Sequence, residues 1–331
     1  FILLFNEFSL FYASMKIGIL SLPFNNNYGG LLQAYALQSY LIGRGHDVFL
    51  INQPFFTTKF RIKNSIKKLS RLSNYISFEN FDNFRHKHLH ETIPLNSNKD
   101  FTKLYRYKFD AVITGSDQVW RFNYIKDNYK RYFLDFVDND KVIKISYAAS
   151  FGVDYWEANE TITRNVTHLI KKFDGVSVRE IEGIRFCRDF LNYHNVIKLL
   201  DPTLLMPPDF YRQLYNGKEK GNEGKIGCYF LDSDPQKLSL VAYLEKHFNL
   251  QSFIIGKKSN SNNSIIFYPP ISQWIKDFDT AEYIITDSYH GMIFSIIFQK
   301  PFIVFGNKER GLVRFSSLLY HFGLKERLID I

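Results

Sequence analysis

Apolar residues along the chain fall into short runs separated by helical repeats and turn clusters. Lys16–Leu20 is one such run, followed by the turn-rich Ser21–Tyr28 and by Gly29-Gly30. From Leu31 the apolar positions Leu31, Tyr35, Leu37, Tyr40 and Leu41 keep roughly helical spacing, and Gly43 and Gly45 stop the pattern. Asp47–Asn52, Asp110–Thr114, Val142–Ala148, Gly175–Val178 and Val196–Leu200 read as further strands, with helices around Trp156–Lys171 and Glu180–Leu191. Buried strands alternating with helices predict a parallel sheet covered on both faces.

Beyond Asp201-Pro202 the composition shifts to Met206-Pro207-Pro208 and a polar stretch rich in Gly and Lys, so residues 206–224 read as a linker. The alternation then restarts: strands at Ile226–Leu231, Ser252–Ile255, Tyr283–Thr286 and Phe302–Phe305, helices at Pro235–Phe248, Ile271–Asp279, Tyr289–Phe298 and Leu312–Phe322. The pattern predicts an α/β protein of two Rossmann-like domains, residues 15–205 and 225–331, with a cleft where the carboxyl ends of the strands face each other. Residues 1–14 have no starting methionine and no basic start, and are expected to be an extension outside the fold.

Composition narrows the class. The 331 residues are 45% hydrophobic and 23% charged, which is globular usage. Two cysteines build no disulfide framework, no C-x-x-C pair suggests zinc, and no apolar run reaches the ~18–20 residues of a membrane span. The balance of 42 basic against 33 acidic residues permits an anionic ligand, a nucleic acid or an acidic membrane surface and does not choose among them. His86, His88 and His90 alternate, and a strand would put them on one side, but the basic surroundings favour a solvated stretch over a metal site. Lys59–Arg71 is a basic amphipathic pattern suited to peripheral contact with an anionic membrane; a plain surface helix is the default expectation.

Candidate chemistry lies in strand-end loops. There is no Walker phosphate loop and no dinucleotide fingerprint, since Gly43-Arg44-Gly45 sits at a helix end. Asn27, Gly29 and Gly30 open a helix, either as glycines that let backbone N–H groups approach an anion closely or as an ordinary Asn/Gly turn. Gly115-Ser116-Asp117-Gln118-Val119-Trp120 gathers a hydroxyl, a carboxylate, an amide and an indole directly after a strand. Arg179 leaves a strand as a rigid fork for carboxylate or phosphate, or pairs with Glu180 or Glu182. His290, framed by Ser288 and Gly291 at a helix start, is placed to exchange protons with a ligand. Arg310 and Arg314 at the start of the last helix reach toward the cleft or toward solvent.

Asn27-Tyr28-Gly29, Gly115–Trp120, Ser146–Gly152, Ser177-Val178-Arg179-Glu180, Asp201–Leu205 and Thr286–Gly291 occur in an order that resembles the polysaccharide pyruvyl transferase family, from about Lys16 to Arg327. The resemblance implies a glycosyltransferase-B-like pair of Rossmann domains. It also implies a reaction that moves the pyruvyl group of phosphoenolpyruvate onto two sugar hydroxyls, with release of phosphate and no further cofactor. By motif the family's functional arginine and histidine fall on Arg179 and His290. On that basis Arg179 grips the donor, with Ser288, Gly291, Asn27, Gly29, Gly30, Arg310 and Arg314 around it. His290 holds the phosphate and moves a proton; Ser116, Asp117 and Gln118 orient the acceptor, with Trp120 as a stacking face. Some members carry arginine two residues before the histidine, where this chain has Ser288. The implied setting is cytoplasmic, possible contact with the membrane's inner face included, and the acceptor is a lipid-linked, nucleotide-linked or polymeric glycan. The same fold would also suit a nucleotide-sugar glycosyltransferase. A non-enzymatic basic protein that binds nucleic acid or membrane is the alternative from another class, disfavoured by the polar residues gathered at strand ends.

Overall fold

The computed structural model describes residues 13–24, 26–54, 75–76, 78–215, 221–232, 234–259, 265–306 and 311–329. Residues 1–12, the basic segment Lys59–Arg71 and Arg310 lie outside the described residues.

The first lobe runs β1 (Lys16–Leu20), α1 (Tyr28–Gly43), β2 (Asp47–Leu50), β3 (Tyr75–Ile76), α2 (Glu79–His88), β4 (Ala111–Thr114), β5 (Ile143–Ala149), α3 (Glu160–Ile170), β6 (Gly175–Val178), α4 (Ile181–Asp189) and β7 (Val196–Lys198). The second runs β8 (Lys225–Tyr229), α5 (Pro235–Phe248), β9 (Gln251–Ile254), β10 (Lys258–Ser259), β11 (Ile265–Phe267), α6 (Ile271–Thr280), β12 (Tyr283–Thr286), α7 (Tyr289–Ile297), β13 (Phe302–Phe305), α8 (Leu312–Phe322) and β14 (Leu328–Ile329). The strand order is β2-β1-β4-β5-β6-β7 in one sheet and β14-β13-β12-β8-β9 in the other, and both are parallel throughout. Each sheet therefore reverses direction at one point, between β1 and β4 and between β8 and β12. Loops diverge there and leave a crevice at the carboxyl ends of the strands.

The lobes share a core. α1 is apolar on nearly every side, and residues 28–34 and 36–38 are buried, as expected of a helix enclosed by protein on all sides. One hydrophobic cluster joins Ile17, Leu31 and Val48 of the first lobe to Trp274, Ile284 and Phe294 of the second. Tyr28 crosses the boundary: its ring stacks on Trp274 at 5.3 Å and its hydroxyl donates to the Pro269 carbonyl at 2.7 Å.

The segment read as a linker packs closely where it is described. Pro208–Arg212 is a short helix, Tyr211 is buried with its hydroxyl on the Thr203 carbonyl, and Arg212 grips both oxygens of Asp279 at 2.7 and 2.9 Å. His86 and His88 lie on helix α2, and His90 lies beyond its end, so the alternation does not form a strand face. Two aromatic residues decide this, Phe81 and Phe84, which bury at helical spacing against the shared core. Among the described residues no group of three or more His, Cys, Asp or Glu is placed to hold a metal ion, and no helix is long and apolar enough to cross a membrane.

Candidate active site

The loops at the two reversal points face one another across a cleft of about 630 Å³. From the first lobe its wall takes Asn26, Asn27, Asp117 and Gln118; from the second it takes Leu231, Ser288, His290 and Arg314, with Tyr289 between them.

Local sequence explains how each loop is held. Asn27 caps α1 by accepting from the Gly30 N–H at 3.0 Å, and Ser288 caps α7 by accepting from the Gly291 N–H at 3.3 Å. Two helix N-termini, each a partial positive charge, thus converge on the cleft. They also touch: a Cβ on Gly29 would stand 2.1 Å from Cγ and Nδ1 of His290. Glycine here makes room for the histidine, a different role from the anion cradle that the sequence suggested. Asp287 accepts from the Leu231 and Asp232 N–H groups and from Lys237 Nζ at 2.7 Å, which locks the β8 loop to the turn carrying His290.

On the other lobe, Asp117 adopts a left-handed conformation (φ 75°), a costly state for a residue with a side chain. It is held because its carbonyl accepts from Val119 N at 2.8 Å and Ser150 N at 3.0 Å. Glu180 braces the neighbouring loop: one carboxylate oxygen accepts from Ser150 Oγ, Phe151 N and Gly152 N.

At the centre is Asp201, fully buried. It follows β7 as Arg179 follows β6, so adjacent parallel strands deliver both to the same place. Asp201 Oδ2 accepts from Arg179 Nη1 at 2.7 Å and Ser116 Oγ at 3.2 Å; Oδ1 accepts from Thr203 N and Oγ1. His290 Nε2 lies 3.5 Å from the same Oδ2, at ion-pair range. Nε2 is buried with no hydrogen-bond partner among the described residues. Burial resists ionisation of Asp201, yet His290, Arg179 and Thr203 outweigh it and hold the carboxyl well below the usual carboxylate range. Tyr289 is flanked by Arg179 and Arg314, whose guanidinium carbons lie 4.5 and 5.2 Å from its ring centroid. Burial, then the charge of Arg179, disfavours the cationic form of Arg314 and pushes its pKa down. Arg314 is therefore a buried cation on the cleft wall, its charged form opposed by burial and by Arg179 and favoured by Asp117 and Glu180.

Several expectations are corrected. Trp120 is fully buried, stacked on Phe133 at 4.8 Å, with its indole N–H on the Tyr132 carbonyl; it belongs to the first lobe's core and has no face for a sugar. Ser116 is also fully buried, and its hydroxyl goes to Asp201 and the Ala148 carbonyl, behind the cleft. Arg179 is 2% exposed and absent from the cleft wall. It pairs with Asp201 and, at 3.5 Å, with Asp117, and with neither Glu180 nor Glu182. It is therefore no free fork for a ligand. Sequence reasoning placed Asp201 in a family motif without a role at the site. Its signal was position, because Asp201-Pro202-Thr203 follows a strand as the other loops do.

Two parallel-sheet lobes joined by a common core, with a polar cleft at their facing reversal points, define a protein of GT-B-like fold. Solved structures agree. The chain superposes on a glycosyltransferase from Rickettsia africae ESF-5 (TM-score 0.53, 13% identity, 89% of this chain and 80% of that one). It also superposes on the UDP-GlcNAc 2-epimerase of Methanocaldococcus jannaschii (0.54, 12%, 96% and 89%) and on S. aureus MnaA in a structure with UDP (0.55, 12%, 95% and 90%). At such identities the likeness is one of fold. No curated protein matches the sequence. The family model described as polysaccharide pyruvyl transferase matches residues 27–309, and the chain belongs to that family.

Proposed function

We propose that the cleft transfers the pyruvyl group of phosphoenolpyruvate to two hydroxyls of a sugar in a surface polysaccharide or its precursor. In that reaction C2 of the donor loses its bond to the phosphate oxygen and gains two bonds to sugar oxygens. One hydroxyl proton ends on the methylene carbon, which becomes a methyl group, and the other on the departing phosphate. The reaction calls for anion recognition, for positive charge close to C2 and for a group that moves protons.

The observation that carries this reading is the alignment of Asp201, His290 and Arg314 at two converging helix N-termini. Arg314 and those termini meet the donor's carboxylate and phosphate. His290 takes the proton of the attacking hydroxyl and returns it to the leaving phosphate, and Asp201 stabilises the imidazolium in between. Arg179 is a positioning residue: it fixes Asp201 and supplies the charge that keeps that carboxylate ionised.

The direct test is phosphate release from phosphoenolpyruvate with a panel of galactose, mannose and N-acetylhexosamine acceptors, with mass spectrometry of the product. His290→Ala and Arg179→Ala should each abolish turnover. A wild-type rate in either variant would remove that residue from the mechanism, whereas thermal stabilisation by UDP- or GDP-sugars but not by phosphoenolpyruvate would turn the assignment toward a nucleotide-sugar glycosyltransferase.

A further inference from the structure

With Trp120 in the core and Ser116 behind the cleft, two of the residues expected to meet the acceptor are removed, yet the cleft extends past His290 along a wall of another character. That wall follows the strand-end loop and carries Gln118, Asn123, Tyr124 and Asn128. We infer that it is a subsite for an uncharged pyranose ring of the acceptor, with Tyr124 as the platform on which the ring lies.

Tyr124 is 48% exposed, and the Arg121 guanidinium backs its ring at 4.2 Å. No other aromatic ring stacks on it among the described residues. One face is thus occupied and held, leaving the other for a ligand. The backing is rigid. Arg121 Nη1 donates to Gln118 Oε1 at 3.0 Å, and Arg121 Nε faces Glu157 Oε1 at 3.6 Å, with both side chains buried. Gly152 permits this packing, since a Cβ there would lie 2.2 Å from Gln118 Oε1.

The amides around the platform are each half committed. Gln118 spends its oxygen on Arg121 and keeps Nε2 as a donor. Asn123 spends Nδ2 on Glu157 at 2.7 Å and keeps its oxygen as an acceptor. Asn27 spends its oxygen on Gly30 and keeps Nδ2. An amide whose one end is fixed by protein presents the other in a defined direction. A mixture of fixed donors and acceptors suits hydroxyl groups, which both give and accept. A nucleoside diphosphate asks for cations, and the only lysine or arginine on the cleft wall among the described residues is Arg314, assigned above to the donor.

This inference rests on the pyruvyl-transfer reading for the word acceptor, but its test needs no donor. Saturation-transfer NMR with the free protein and the methyl glycosides of galactose, mannose and N-acetylglucosamine should show transfer to at least one of them. Tyr124→Ala should weaken that glycoside's binding about tenfold, the loss expected for one aromatic contact. Tyr124→Phe should retain it. Transfer from none of the three, or equal binding by Tyr124→Ala, overturns the subsite, as does UDP binding at Tyr124 in preference to all three. Because Tyr124 is half exposed, its loss should leave the thermal melt unchanged. A protein that binds glycosides through Tyr124 yet releases no phosphate from phosphoenolpyruvate keeps the subsite and loses the assigned reaction.

Discussion

Gly29→Ala should silence the enzyme through a single methyl group. The ideal Cβ would sit 2.1 Å from two atoms of the His290 ring, whereas an ordinary contact begins near 3.4 Å, so one side must retreat by about 1.3 Å. Neither yields easily: Gly29 lies in the first turn of a buried helix and His290 is 6% exposed. Overpacking of this kind costs about 1–3 kcal/mol. A displacement near 1 Å of a group at the chemistry costs about a hundredfold in rate. The assay is phosphate release with saturating phosphoenolpyruvate and the acceptor found above, alongside a thermal melt. Gly43→Ala is the control, on the same helix, where a Cβ meets nothing within 4 Å. It should keep full activity and gain about 0.5–1 kcal/mol, because alanine suits a helix better than glycine. Full activity in Gly29→Ala would mean that the position of His290 does not govern the reaction.

Asp201→Asn should cost about 3–5 kcal/mol by leaving the buried Arg179 without its closest partner, visible in urea melts. In the wild type the folded Asp201 carboxyl titrates below its unfolded value, so the unfolded chain takes up the proton first. Asp201's contribution to stability is complete above about pH 4 and is lost as pH falls further, a dependence that the asparagine variant should lack. Trp120→Ala should destabilise by about 3–5 kcal/mol as a core deletion, in contrast to Tyr124→Ala; an unchanged melting temperature would contradict its burial. Arg314→Met, which keeps the stem and removes the charge, should weaken phosphoenolpyruvate about ten- to a hundredfold, the worth of a charge-assisted hydrogen bond, and a thermal shift on adding the donor reads it.

Much of the architecture was legible because each lobe repeats a local code. Gly175–Val178, Tyr283–Thr286 and Phe302–Phe305 are strands at the residues the apolar runs marked, and Pro235–Phe248 and Leu312–Phe322 are helices with the same ends. Elements resting on distant partners escaped notice. β3 exists because Tyr75 and Ile76 pair with Ile265 and Ile266, and α2 because Phe81 and Phe84 find the shared core. At the site, His290 and Asp117 were marked by their loops and both line the cleft.

The sequence alone determined which residues stand at strand ends, since alternating period and turn chemistry are properties of neighbours along the chain. It could not determine which of those residues face a ligand. Trp120 and Ser116 share a loop with the cleft residues Asp117 and Gln118 yet are buried in the lobe, as is Arg179 at the end of its own strand. Tyr124, in a segment with no signal of its own, stands on the wall. That sorting depends on how two sheets pack around α1 and on charges held 22 to 62 residues apart, as Arg179 is from Asp201 and Asp117. Burial and pairing are relations in space, and only the closed tertiary structure fixes them.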